Sequence, residues 1–176
     1  MDLQNRLPAA QLMRNYGTAL CLAAMLAGCS GSGAVEPPAS LPVHVACFVT
    51  DAKSVKVKLE VADTAQERRK GLMGRESLAA DAGMLFQYQQ QRGPNYSFWM
   101  YQTLIPLDIA YLDEKGTIGN IRQMEPCEST NGARCPSYPA EVEFISAVEM
   151  NIGFFKANGI GLGDRLLLGA NNCTNR

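Results

Sequence analysis

"SFWMYQTLIPLDIAYLDEKGTIGNIRQM", residues 97–124, decides the fold. Its apolar and aromatic residues come in short runs broken by turn formers, which reads as paired strands. Ser97 to Tyr101 and Leu107 to Leu112 are two extended segments, and Pro106, which has no N–H for a ladder, belongs between them or at an edge. Asp113 to Gly116 is a hairpin turn, with Thr117 to Met124 as its returning strand.

Working upstream, "VKVKLEV" (55–61) alternates Val55, Val57, Leu59 and Val61 with Lys56, Lys58 and Glu60, the period of a strand with one buried face. "DTAQERRKG" (63–71) opens with Asp63 or Thr64 as N-cap, and Glu67 is spaced to complete a capping box with Thr64. A short helix is predicted to about Lys70, where Gly71 can adopt a left-handed conformation. "GMLFQY" (83–88) is a buried strand, followed by a polar turn at 89–95. Downstream, "EVEFISAVEM" (141–150) is a strand, "GFFKANG" (153–159) a short helix, and "GDRLLLG" (163–169) a last strand. Hairpins dominate and no regular βαβ alternation is present. The expected fold is therefore α+β, a mainly antiparallel, barrel-like sheet of six or seven strands with two short helices.

The N-terminus has the order of a secretory signal: Arg6 and Arg14, then the small apolar stretch "GTALCLAAMLAGC" (17–29). That stretch is too short for the roughly 20 apolar residues of a membrane-spanning helix. "LAGC" at Leu26 to Cys29 resembles the bacterial lipobox, which implies a signal over 1–28, cleavage before Cys29 and lipid on that cysteine. Several acyl chains on one residue anchor firmly, at about 0.8 kcal/mol per buried methylene. Ser30 in place of Asp implies the periplasmic face of the outer membrane where the cell has two membranes. A Gly/Ser stretch running into a Pro-rich one makes 29–46 a tether, leaving 47–176 as a single domain. Removing Arg6, Arg14 and Asp2 from 16 basic and 17 acidic residues leaves 14 and 16, a balance that offers no basic patch to nucleic acid.

Of six cysteines, Cys21 leaves with the signal and Cys29 takes lipid. The remaining four, Cys47, Cys127, Cys135 and Cys173, suggest two disulfides with three possible pairings. Cys127 and Cys135 flank a polar loop with Asn131-Gly132, so a local bridge there is the economical choice, with Cys47 to Cys173 tying the ends of the domain together.

The only histidine, His44, falls in the tether, which argues against a Ser-His-Asp triad, a Cys-His pair or a histidine-rich zinc site. There is no Walker loop and no GxGxxG opening a helix. No metal or cofactor is expected. The remaining polar candidates are Arg75 in "GLMGRES", Asp108 at the start of an apolar strand, Glu149 between Val148 and Met150, Trp99 and Thr103. A buried carboxylate needs a partner or a raised pKa. Asp108 is expected to accept hydrogen bonds from backbone or from Arg75. In the sharper reading Arg75, Asp108 and Glu149 converge on one cleft. Trp99 belongs in the core or at a pocket lip, and the Thr103 hydroxyl caps the turn before Pro106.

The stretches "VADTAQERRKGLMGRESLAADAGMLF", "FWMYQTLIPLDIAYLD", "AVEMNIGFF" and "GIGLGDRLLL" together resemble the bacterial and archaeal domain of unknown function family 192, over about residues 55 to 169. The sequence departs from that family at Tyr101-Gln102, where Lys or another polar residue followed by Asn is usual, and in its added Cys127 to Cys135 loop. The resemblance implies a compact β-rich fold with short helices, and no established activity.

The leading expectation is a lipid-anchored, non-enzymatic envelope module that binds a small anionic ligand or a partner peptide near Arg75, Trp99, Asp108 and Glu149. One alternative is a carboxylate-based hydrolase acting on an envelope substrate. Another is a purely structural envelope protein.

Overall fold

The computed structural model describes residues 40–169 and Cys173. The expected signal, the expected lipidation at Cys29 and the expected tether up to residue 39 lie outside the described residues.

The elements in chain order are β1 (Val43–Val49), β2 (Ser54–Ala62), α1 (Ala65–Lys70), β3 (Ala82–Arg92), β4 (Ser97–Trp99), β5 (Leu107–Leu112), β6 (Ile118–Met124), β7 (Ser137–Pro139), β8 (Phe144–Asn151), α2 (Phe154–Asn158) and β9 (Arg165–Leu168). Seven strands form one sheet in the order β6-β5-β8-β3-β2-β1-β9, and β4 and β7 pair separately. The fold is mostly β and mainly antiparallel, so an α+β label fits it loosely. One pair, β2 with β3, is parallel, because α1 and the loop after it carry the chain back across the sheet.

Three sequence expectations need correction. The strand β1 begins at Val43, inside the stretch expected as tether, and His44 lies on it. Its strand character comes from pairing with both β2 and β9 rather than from an alternation of its own. The polar run at Gln89 to Arg92 continues β3 instead of forming a turn. Residues 137–139, not expected as a strand, pair with β4.

Local signals explain the helix starts. Thr64 caps α1 through a hydrogen bond from the Glu67 N–H, and the Glu67 carboxylate accepts from the Thr64 N–H in return. Gly71 ends this helix with φ 47° and ψ −135°, a positive φ outside the left-handed helical region. Both flanks of α2 are left-handed glycines, Gly153 and Gly159, and Gly153 brings no side-chain cap.

The edges β6 and β9 approach each other through a Thr117–Arg165 bridge and hydrogen bonds from Leu166 N to the Gly116 carbonyl (2.9 Å) and from Ile118 N to the Asp164 carbonyl (2.8 Å). The sheet thus curls into a half-barrel. Ile118 and Leu166 from those edges, with Phe48, Leu59, Val148 and Phe155, fill the inside. The other face packs Met84, Phe86, Ile109, Tyr111, Phe144 and Phe98 beneath loops. Cys47 bridges to Cys173 and Cys127 to Cys135. A link across a separation of 126 residues is worth about 5 kcal/mol by chain entropy.

Candidate functional site

Strand parity fixes where the two buried carboxyl groups point. On β5 and β8 the register is regular: Asp108 lies opposite Met150, and Ile109 opposite Glu149. Residues directly opposite share a face and successive residues alternate. Asp108 therefore shares the inner face with Met150, while Glu149 shares the outer face with Ile109 and with Met84 of β3. The sheet itself separates them, so the cleft in which both were expected to converge does not form.

Their surroundings differ accordingly. Asp108 accepts from the Phe155 N–H (3.4 Å) and from Gln123 Nε2 (3.3 Å). Phe155 lies in the first turn of α2, so Asp108 supplies from another strand the acceptor that Gly153 lacks, at the end of the helix that favours negative charge. Arg75 is not its partner. Glu149 is buried, and among the described residues no group donates a hydrogen bond to its carboxyl. Burial pushes that carboxyl up from 4.5 to about 8, which leaves it protonated at neutral pH.

Arg75 pairs instead with Glu60: one guanidinium nitrogen donates to both carboxylate oxygens, at 2.7 and 2.6 Å. Glu60 was absent from the sequence candidates because the alternation of β2 places it opposite the Val and Leu face, which suggests solvent. That outer face is covered at this point by the loop after α1, which brings Arg75 onto Glu60. The pair borders a pocket of about 890 Å³, with Met73, Met84, Leu41 and Lys70 among its walls. This is within the usual size range of small-ligand sites.

Trp99 is 44% exposed rather than in the core. Its ring tilts against Tyr101 (centroids 5.5 Å apart) and lies on Gly132, where a Cβ would come within 2.7 Å of it. The disulfide loop therefore needs glycine at 132 to pass the indole, and Asn131 caps the short 3-10 turn that follows by accepting from the Ala133 N–H. Thr103 is buried, and the turn closes through its N–H to the Met100 carbonyl (3.0 Å) rather than through its hydroxyl. Gln102 takes a left-handed φ of 55°, and its carbonyl accepts from the Gly74 N–H (2.8 Å), tying the Arg75 loop to the segment before β5. Among the described residues no three His, Cys, Asp or Glu side chains gather as a metal cluster.

The class so defined is a curled, mostly β half-barrel with an ion pair at the edge of an open pocket and two unrelated buried carboxyls. The chain belongs to domain of unknown function family 192, an uncharacterized family whose model matches residues 47–168. The match begins at Cys47, within β1, earlier than the sequence resemblance at 55. No curated protein matches. A crystal structure from Sinorhizobium meliloti, named provisionally as a transcription regulator, is similar at 28% identity and TM-score 0.66, covering 75% of this chain and 98% of that one. A protein of unknown function from Novosphingobium aromaticivorans is similar at 28% identity and TM-score 0.65, covering 76% of this chain and 91% of that one.

Proposed function

We propose that this protein is a non-enzymatic binding module, held at the cell envelope by lipid on Cys29, that takes a small anionic ligand in the pocket beside Glu60 and Arg75. The observation that carries the reading is the Arg75 guanidinium. One of its nitrogens is spent on Glu60, and the side chain, 40% exposed, lines an open pocket. The ion pair fixes the arginine in place, so little side-chain freedom is lost when a ligand binds. The hydrolase alternative needs two carboxyls flanking one substrate bond. Asp108 and Glu149 lie on opposite faces of the sheet, which disfavours it. The regulator role named for the Sinorhizobium neighbour would call for an extended basic surface, and the chain as a whole is close to neutral.

A thermal-shift screen of small carboxylates and phosphates tests the site, with wild type compared to Arg75→Ala and Glu60→Gln. A ligand that stabilises the wild type should lose its effect in Arg75→Ala. Stabilisation that survives both changes unaltered would place the site elsewhere. Membrane fractionation tests the anchor: Cys29→Ala should move the protein to the soluble fraction, and retention on the membrane contradicts lipid attachment there.

A further inference from the structure

We infer that a second site, on the other side of α1 from the Glu60–Arg75 pocket, binds a phosphate monoester. It is a groove of about 370 Å³ whose lining includes Arg68, Arg69, Arg92, Tyr88, Tyr96 and Trp99 and contains no acidic residue. The inference does not depend on the pocket beside Arg75.

The geometry concentrates positive charge. The guanidiniums of Arg68 and Arg92 lie 4.7 and 4.8 Å from the centre of the same Tyr88 ring, so they are no more than about 10 Å apart, about one Debye length at roughly 0.1 M ionic strength. Arg92 also packs on Tyr96, at 5.4 Å. Such stacking orients a guanidinium but does not neutralise it. Among the described residues, none of the three arginines has an ion-pair partner.

Arg68 is held by donating through Nη1 to the Asp63 and Gln87 carbonyls, which keeps its fork in place. Arg92 is held by its stacking on Tyr88 and Tyr96; its Nε is closed to solvent, so it would meet a ligand through its terminal nitrogens. Three cations facing one small groove match a dianion with several acceptor oxygens better than a single carboxylate, and the planar forks suit its oxygens. The rings of Tyr96 (39% exposed) and Trp99 at the rim would cover the organic half of an ester. That ester could be a free metabolite or a lipid headgroup, since the recognising chemistry is the same.

Trp99 is the only tryptophan of the chain, so its fluorescence reports the groove directly. The purified full chain is titrated with inorganic phosphate and with phenyl phosphate, and is sedimented with phosphatidylcholine vesicles that contain or lack phosphatidic acid. The expected result is a saturable change in emission, with phenyl phosphate binding about tenfold more tightly than inorganic phosphate. Arg69→Ala, at an exposed position, and Arg92→Lys, which keeps the charge and loses the fork, should each weaken phenyl phosphate binding about tenfold with unchanged circular dichroism. Phenyl phosphate binding accompanied by capture on phosphatidic acid vesicles identifies a headgroup as the source. Binding without capture identifies a soluble ester. No saturable response to either phosphate overturns the inference, as does binding that both variants leave unaltered, or vesicle capture with no response to phenyl phosphate.

Discussion

The two faces of the half-barrel sheet handle the same problem differently. Each buries one carboxyl group on neighbouring strands, Asp108 inside and Glu149 outside. The inner face is partly roofed by α2, and its carboxylate is used as the cap of that helix. The outer face is roofed by loops, which lack a regular row of donors, and its carboxyl is left protonated. A polar residue in an apolar strand is therefore not one kind of signal. Its meaning depends on what the opposing layer can donate.

The largest way to break this contrast is pH. Glu149 holds its proton more tightly in the folded than in the unfolded protein, so its burial carries no ionisation penalty below about pH 4.5. Stability then falls as pH rises from 4.5 to about 8, by on the order of 5 kcal/mol, and levels off above. Urea unfolding across that range should show the fall in wild type and lose this component in Glu149→Gln. On the inner face, Asp108→Ala should cost about 2 to 3 kcal/mol, by leaving the Phe155 N–H and the Gln123 amide without an acceptor. The loss of hydrogen-exchange protection should be concentrated in α2, and Asp108→Asn should recover part of it.

The loops over the outer face offer two smaller tests. Replacing Cys127 and Cys135 by Ala should cost about 2.5 kcal/mol, given a separation of 8 residues, and should red-shift the Trp99 emission as Gly132 comes away from the indole. Gln102→Gly should raise stability by up to about 1 kcal/mol, because the residue sits at φ 55°; a rise in denaturation midpoint checks it. Asn at this position would fit the same backbone, since Asn tolerates the left-handed region better than Gln.

What the sequence made legible was local. The alternation of β2, the capping box of α1, the β5 to β6 hairpin and the glycine that ends α2 all depend on residues within one element. The features that escaped depend on pairing between distant segments. Val43 to Val49 is a strand because β2 and β9 flank it, and β2 runs parallel to β3 only because α1 acts as a crossover. Asp108 and Glu149 could each be placed on an apolar strand, but their relative face is set by the register of β5 against β8, which neither strand encodes alone. The Arg75–Glu60 pair was hidden for a related reason: a loop, whose path no periodicity reveals, selected the partner.

The proposed reading rests on the independence of the two carboxyl groups, and an isotope-edited NMR titration of the side-chain carboxyl carbons measures it in wild type and in Asp108→Asn. Glu149 is expected to titrate near pH 8 in both proteins, with a midpoint that the substitution leaves in place. A Glu149 midpoint near 4.5, or one that moves by about a unit or more when Asp108 is replaced, would reveal an exposed or coupled pair and contradict the separation of the two faces.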